Sequence, residues 1–249
     1  YLSAFFILVR WPNLLIMALT QVLVRQCLLV PILKTAHMDV QLPAAGFILL
    51  IAGTVLVAAG GYTINDYFDR KIDLVNRPDH MIVGSSIHPR HAMAYHLVLT
   101  TLGIVAGSFA AWITGKPYLS LIFIMVSGLL WFYSTTYKRE FLLGNIIVAL
   151  LTGFVPFIVL LFELPSLAES YGSDVQPLIP ILLGWILGFS TFAFLVNLVR
   201  EIIKDCEDFE GDQAYGKKTI PVICSMFSAR IIAAVILLII SIFLIFIWF

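Results

Sequence analysis

Long apolar runs dominate the chain, and polar residues interrupt them at only a few places. A helix needs about 20 mostly apolar residues to cross a bilayer. Because the bilayer interior offers no water, each such run must satisfy its own backbone hydrogen bonds as a helix. The pattern therefore predicts an all-α, polytopic transmembrane bundle of seven spans. These lie at about residues 3–30, 44–64, 91–114, 118–136, 142–162, 178–200 and 228–249.

Basic residues predict how the spans are oriented. If the spans alternate in direction, the segments 65–90, 137–141 and 201–227 fall on one side of the bilayer. The opposite loops hold only Lys34 and Lys116. The positive-inside rule makes the more basic side cytoplasmic. Its basic residues are Arg70, Lys71, Arg77, Arg90, Lys138, Arg139, Lys204, Lys217 and Lys218.

Composition agrees with a membrane protein. Hydrophobic residues make up 61% of the 249 residues, charged residues only 12%, and the mean hydropathy is +1.00. A soluble domain is nearer half apolar and a quarter charged, so the composition argues against a soluble fold of this size. The net charge is zero, which gives no indication of a nucleic-acid partner. We expect one transmembrane domain over residues 1–249, continuing beyond both Tyr1 and Phe249.

Two polar segments follow apolar runs and repeat at helical spacing. Asn65, Asp69 and Asp73 are four residues apart, so on a helix they share one face. A second segment repeats at intervals of four, four, three and four residues, which predicts another stripe on one face. Its members are Asn197, Glu201, Asp205, Asp208 and Asp212.

Two carboxylate stripes that face one cavity would repel each other unless cations lie between them. Mg²⁺ prefers oxygen ligands and is commonly held by one or two carboxylates together with substrate phosphates. The stripes therefore predict a phosphate or diphosphate ligand bridged by metal. Solvated helix ends are the simpler explanation, but polar residues that reach into membrane spans usually mark function. Basic residues that could neutralise more of the ligand's charge are Arg70, Lys71, Lys138, Arg139 and Lys204.

These motifs resemble a known family. The first stripe resembles the first signature of the UbiA superfamily of intramembrane prenyltransferases, and Asp208-x-x-x-Asp212 resembles its second. The resemblance covers most of the chain in the right order, and it implies a bundle, usually of nine helices, around a central cavity that opens at the cytoplasmic side. Further matches are Arg10-Trp-Pro-Asn13, Asn76-Arg-Pro-Asp79, Tyr133 to Arg139, Gly144-Asn145 and Gly216 to Thr219.

The resemblance also implies roles for individual residues. Two Mg²⁺ ions would hold the diphosphate of a prenyl donor. The implied metal ligands are Asn65, Asp69 and Asp73 for one ion, and Asp208 and Asp212, assisted by Asp205, for the other. The implied catalytic residues are Asp69, Asp73, Asp208, Asp212 and Lys138. The implied substrate-binding residues are Arg10, Asn13, Asn65, Arg70, Tyr133, Arg139, Asn145, Asn197, Lys204 and Lys218.

The resemblance implies a lipophilic acceptor, whose class stays open. The stretch from Arg200 to Val222 is similar to the ether-lipid branch, the digeranylgeranylglyceryl phosphate synthases, which join a geranylgeranyl group to geranylgeranylglyceryl phosphate. It is similar, less closely, to the chlorophyll synthase branch, and a quinone-type aromatic acceptor is the alternative. We expect a multi-pass protein of a prokaryotic cell membrane.

Rival classes fit the sequence less well. A transporter would place charge near the bilayer midplane, whereas here the acids lie at the cytoplasmic ends and the outer halves of the spans read as almost purely apolar. A phosphotransferase of the CDP-alcohol type needs an Asp-Gly signature, but Gly211 precedes Asp212 without the rest of that motif. A scaffold without activity would not need the intact set of metal ligands.

Overall fold

Seven helices in the described part of the chain are long and apolar enough to cross a membrane, as the sequence predicts. This computed structural model describes residues 2–76 and 78–248. Tyr1, Phe249 and Arg77, which was counted above among the basic loop residues, lie outside the described residues. The α-helices are α1 (Leu2–Leu8), α2 (Trp11–Leu23), α3 (Val30–Thr35), α4 (Ala44–Asn76), α5 (Pro89–Ile113), α6 (Ser120–Thr135), α7 (Leu143–Tyr171), α8 (Ile179–Glu207), α9 (Phe209–Ala214), α10 (Ile220–Ile223) and α11 (Met226–Trp248).

The first apolar run does not form one helix from residue 3 to residue 30. The helix is interrupted at Arg10, whose φ of 54° lies in the left-handed region. Helix α1 is therefore separate, and the first span begins at Trp11. Pro12 fits there because the first turn of a helix needs no amide donor. Pro31 does not end the span, because a π-helical segment at Val24–Leu29 leads directly into α3.

Helices α4 and α5 approach each other closely at glycines. A Cβ at Gly103 would lie 2.7 Å from the backbone nitrogen of Val57, and one at Gly53 would lie 2.9 Å from the backbone nitrogen of Gly107. In lipid, small residues at such contacts let two helix backbones pack against each other. The contact fixes α4, the helix that carries the first polar stripe.

Three helices run well past the apolar runs that predict them. Helix α4 continues to Asn76, α7 to Tyr171 and α8 to Glu207, whereas the apolar runs end near residues 64, 162 and 200. Hydropathy predicts only the apolar part of a helix, so it does not predict how far the same helix continues through polar residues. The first polar stripe lies on the extension of α4, and the second starts at Asn197 inside the apolar run of α8 and continues onto its extension.

The halves of the spans remote from these acids are not purely apolar, which corrects the expectation above. Glu163 on α7 is completely buried, and its Oε1 accepts hydrogen bonds from the backbone nitrogens of Gln41 and Leu42, the second at 3.0 Å. Arg25 is also buried, donates to the carbonyl oxygen of Leu42, and lies 4.4 Å from the ring centre of Phe47. These charges bind the segment between α3 and α4, so they close that end of the bundle.

The glycine contact can be tested by adding one methyl group. We expect Gly103→Ala to lower the free energy of unfolding by about 1–3 kcal/mol, because the new Cβ would push α4 and α5 apart. The matched control is Gly184→Ala, since nothing lies within 4 Å of a Cβ at Gly184. Thermal unfolding in detergent checks this, and equal midpoints for the two variants would contradict it.

Candidate active site

A polar cavity of about 740 Å³ lies where the break before α2, the end of α4 and the end of α8 converge. It brings together most of the residues that the sequence proposes for the site. From the first half of the chain these are Arg10, Asn13, Asn65, Asp69 and Asp73. From the second half they are Tyr133, Lys138, Asn145, Lys204, Asp205, Asp208 and Asp212.

Lys138 connects the first stripe to the segment between α6 and α7. Its Nζ lies 2.7 Å from Asp69 Oδ1 and 3.3 Å from Asn65 Oδ1, and Asn65 Nδ2 donates to Asp69 Oδ2 at 2.9 Å. All three side chains are buried. Burial lowers the pKa of Lys138, and Asp69 partly opposes that shift. Asp69 thus accepts one hydrogen bond at each oxygen, and each oxygen keeps a lone pair that can also bind a cation.

The second stripe is interrupted by a turn. Asn197, Glu201 and Asp205 lie on α8 as predicted, but α8 ends at Glu207. Asp208 lies between α8 and α9, and Asp212 lies on the short helix α9. The prediction of one continuous helical face is therefore wrong from Asp208 onward. Spacing alone cannot show where a helix ends, because neighbouring segments decide it.

Asn76, the last residue of α4, holds this turn in place. Its Nδ2 donates to the carbonyl oxygen of Asp208 at 3.2 Å, and its Oδ1 accepts from the backbone nitrogen of Gly211 at 2.7 Å. A Cβ at position 211 would lie 2.4 Å from Asn76 Oδ1, so only glycine allows this approach. The contact brings the end of the first acidic segment against the second.

Two further polar pairs order the second acidic group. Lys217 Nζ lies 2.7 Å from Asp212 Oδ1, and Asn145 Nδ2 donates to Asp205 Oδ2 at 2.8 Å. Burial lowers the pKa of Lys217, but Asp69, Asp212 and Asp208 together raise it above its usual value. Burial raises the pKa of Asp212, and Lys217 only partly opposes this. Lys217 is therefore a cation shared between the two acidic segments.

The charge balance of the cavity favours added cations. Among the described residues, eight carboxylates and five basic side chains line it, which leaves a formal excess of three negative charges. A diphosphate would be repelled from such a cavity unless cations entered with it. The oxygen donors of the two acidic segments suit Mg²⁺. No three His, Cys, Asp or Glu side chains in the described ranges are grouped so that they could hold a metal ion by themselves.

A second, apolar cavity of about 240 Å³ opens from the first. It extends between α2, α4, α6 and α7 as far as Thr54, Phe123 and Ile158. The two cavities share a set of lining residues, which we call the junction. The junction consists of Arg10, Asn13, Asn65, Tyr133, Arg200, Glu201 and Lys204.

The junction includes two residues that the sequence analysis did not assign to the site. Glu201 is buried there, and Arg200 Nη2 lies 3.7 Å from its Oε1. Glu201 stands on the predicted stripe, which was a usable signal, whereas nothing in the spacing pointed to Arg200. Asn197 Oδ1 accepts from Arg200 at 3.3 Å, and its buried Nδ2 has no hydrogen-bond partner among the described residues.

Arg10 reaches the junction because the chain breaks before α2. Its Nη2 lies 3.0 Å from Asp66 Oδ1, and its guanidinium carbon lies 4.9 Å from the ring centre of Tyr62. Burial lowers the pKa of Arg10, but Asp66 and Tyr62 hold it above its usual value. Arg10 is thus a permanent cation at the boundary of the two cavities.

Three residues predicted to bind substrate lie outside the lining of both cavities. Arg70 Nε donates to the carbonyl oxygen of Tyr67 at 2.9 Å. Arg139 is exposed, and Lys218 Nζ is exposed beside Glu140 at 3.4 Å. Binding of substrate by these three residues stays a prediction.

The amino-acid sequence is similar to those of one protein family. The family model described as the UbiA prenyltransferase family matches residues 29–249. A digeranylgeranylglyceryl phosphate synthase of Methanosphaera stadtmanae is 37% identical over 76% of this chain and 61% of its own length. One of Methanothermobacter thermautotrophicus is 34% identical over 78% of this chain and 62% of its own length. The chain thus spans about three fifths of the length of these curated relatives.

A solved structure has the same fold. It comes from work on the biosynthesis of digeranylgeranylglyceryl phosphate synthase in membranes, and it superposes with a TM-score of 0.62. The match covers 97% of this chain and 75% of that one, at 24% sequence identity. At this identity the similarity supports the arrangement of helices and nothing finer.

The buried pair of Lys138 and Asp69 makes a testable contribution to stability. We expect Lys138→Met to lower the free energy of unfolding by about 3–5 kcal/mol, because it leaves a buried carboxylate without its cation. Adding Asp69→Asn to that variant should restore part of the loss. Thermal unfolding without metal or substrate is the measurement.

The matched control for this pair is Lys218→Met, which removes an exposed ion pair and should change stability by about 1 kcal/mol or less. A loss in Lys138→Met no larger than in Lys218→Met would show that the buried pair contributes nothing.

Proposed function

This chain belongs to the UbiA prenyltransferase family, and from that premise we propose that it transfers a prenyl group from a polyprenyl diphosphate to a lipophilic acceptor in a Mg²⁺-dependent reaction. The observation that carries the proposal is the junction of an acidic cavity with an apolar one. A prenyl diphosphate has the same division, since its anionic end needs cations and its chain needs apolar walls. The bond that breaks would then lie at the junction.

The acidic cavity would hold the diphosphate through metal. Bound Mg²⁺ neutralises the charge of the diphosphate and makes it a better leaving group. The first polar stripe would supply Asn65, Asp69 and Asp73 as ligands of one Mg²⁺ ion. The second acidic segment would supply Asp205, Asp208 and Asp212 as ligands of the other. Among the residues near Asp69, Lys138 and Lys217 can donate hydrogen bonds to the negative charge that grows as the carbon–oxygen bond breaks.

The junction would protect the reacting carbon. Breaking the bond leaves positive charge on an allylic carbon, which water would capture if it could enter. The apolar walls of the cavity would exclude water, and the rings of Tyr62 and Tyr133 line that cavity. Their ring faces can stabilise a cation.

We propose geranylgeranyl diphosphate as donor and geranylgeranylglyceryl phosphate as acceptor. The names of the relatives support this choice. The acceptor's phosphate would need cations separate from the metal-bound diphosphate, and the junction offers Arg10, Arg200 and Lys204. The buried amide nitrogen of Asn197, which has no partner within residues 2–76 and 78–248, can donate one more hydrogen bond. By the positive-inside rule, the acidic cavity would face the cytoplasm of a prokaryotic cell.

Loss of transfer on removal of single carboxylates tests the reaction. Full-length protein in lipid vesicles is supplied with Mg²⁺, labelled geranylgeranyl diphosphate and geranylgeranylglyceryl phosphate. We expect Asp69→Asn and Asp208→Asn to lower the rate by at least about 100-fold, because each removes charge that holds the leaving group. Chelation of the metal should abolish transfer.

The matched control is Glu210→Gln, an exposed carboxylate outside the lining of both cavities, which should keep the wild-type rate. Unchanged transfer in Asp69→Asn and Asp208→Asn, or after chelation, would contradict the proposed site. Replacing the acceptor by 4-hydroxybenzoate separates the acceptor classes. Product with the aromatic acid alone would keep the reaction and overturn the glycerol phosphate acceptor.

A further inference from the structure

One wall of the apolar cavity is a single aromatic ring that rests on bare helix backbone. Phe123 on α6 is only 3% exposed and lines the cavity at the part remote from Asn65. A Cβ at Gly107 would lie 2.3 Å from its Cδ2, and one at Gly53 would lie 2.9 Å from its Cε1. The ring therefore occupies a notch that exists only because both positions are glycine.

Behind this ring the protein is closely packed. The ring of Phe162 on α7 meets Phe123 edge-on, with 6.1 Å between ring centres. Phe162 is completely buried within the main apolar core. Phe123 belongs to that core and also lines the cavity, so its ring helps to fix how far the cavity extends.

The deep end of the cavity is also closed by a polar pair. Gln21 is completely buried, and its Nε2 donates to Thr54 Oγ1 at 3.0 Å. One helical turn beyond it lies the buried side chain of Arg25. An apolar chain that passed Thr54 would press against these polar groups, which burial without new partners makes costly. Phe123, Ile158 and the Gln21–Thr54 pair therefore close the deep end of the cavity, which we call its floor.

The floor lies at a fixed distance from the polar end. Thr54 precedes Asn65 by eleven residues on α4, which corresponds to roughly 16 Å along the helix axis. Asn65 belongs to the junction, where the diphosphate end would begin. A chain that is too long collides with the floor, and one that is too short leaves part of the cavity unfilled, and both lose binding free energy.

We propose that Phe123, seated on Gly53 and Gly107, is the residue that sets the longest prenyl chain the donor can carry. This inference rests on the proposed function, because it assigns the apolar cavity to the donor's chain. It makes Gly107, which does not line the cavity, a positioning residue for the ring. Two substitutions should therefore change chain-length preference in opposite directions.

The test is a competition in one reaction. Full-length protein in vesicles receives Mg²⁺, acceptor and equal amounts of farnesyl, geranylgeranyl and geranylfarnesyl diphosphate, and mass spectrometry gives the product ratios. Phe123→Ala removes the aromatic ring from the floor and should raise the ratio of longer to shorter products by about tenfold or more. Gly107→Ala pushes the ring toward the cavity and should lower that ratio. A ratio within one reaction does not depend on how much protein is folded.

Two further variants make the result specific. Phe123→Leu keeps the position apolar and should shift the ratio in the same direction as Phe123→Ala, but less. Phe109→Ala is the matched control, since it removes a ring from α5 that is 52% exposed and outside the cavity lining. It should leave the ratio unchanged.

The possible outcomes separate the two proposals. Unchanged ratios in Phe123→Ala and Phe123→Leu, or a shift of Gly107→Ala in the same direction as Phe123→Ala, would overturn the floor while transfer itself persists. No transfer from any donor by the unaltered protein would overturn the proposed function, and the floor with it.

Discussion

The buried contact of Lys138 with Asp69 is the interaction on which the acidic site depends. A carboxylate that is buried at the end of a membrane helix is costly, and a paired cation offsets part of that cost. Lys138 supplies that cation from the segment between α6 and α7, and Asn65 completes the contact from one turn earlier on α4. These bonds engage both oxygens of Asp69, so the contact fixes the orientation in which the carboxylate faces the cavity.

The buried charges at the two ends of the bundle have different kinds of partner. At the end remote from the acids, Arg25 and Glu163 bind backbone groups of the segment between α3 and α4, so their charges serve to close the structure. At the acidic end, carboxylates outnumber basic side chains among the described residues that line the cavity. The excess negative charge at the acidic end would be neutralised by bound cations, whereas the buried charges at the other end already have partners within the described structure.

The apolar cavity depends on backbone contacts more than on side chains. Gly53 and Gly107 let α4 and α5 approach closely, and the notch they leave holds the ring of Phe123. The tyrosines near the junction and the ring at the floor therefore lie on helices whose spacing the glycines decide. If the proposed function is correct, the same glycines determine both the stability of the bundle and the length of the chain that it accepts.

The sequence by itself determined the helical class, the seven spans and the first polar stripe. Those features follow from local periodicity, because a run of apolar residues or a spacing of four along one helix needs no distant partner. The turn at Asp208, the burial of Glu163 and the place of Arg200 at the junction were decided by the tertiary structure. Each depends on a segment far away in the chain, such as Asn76 against Gly211, and spacing along the chain carries no information about such neighbours.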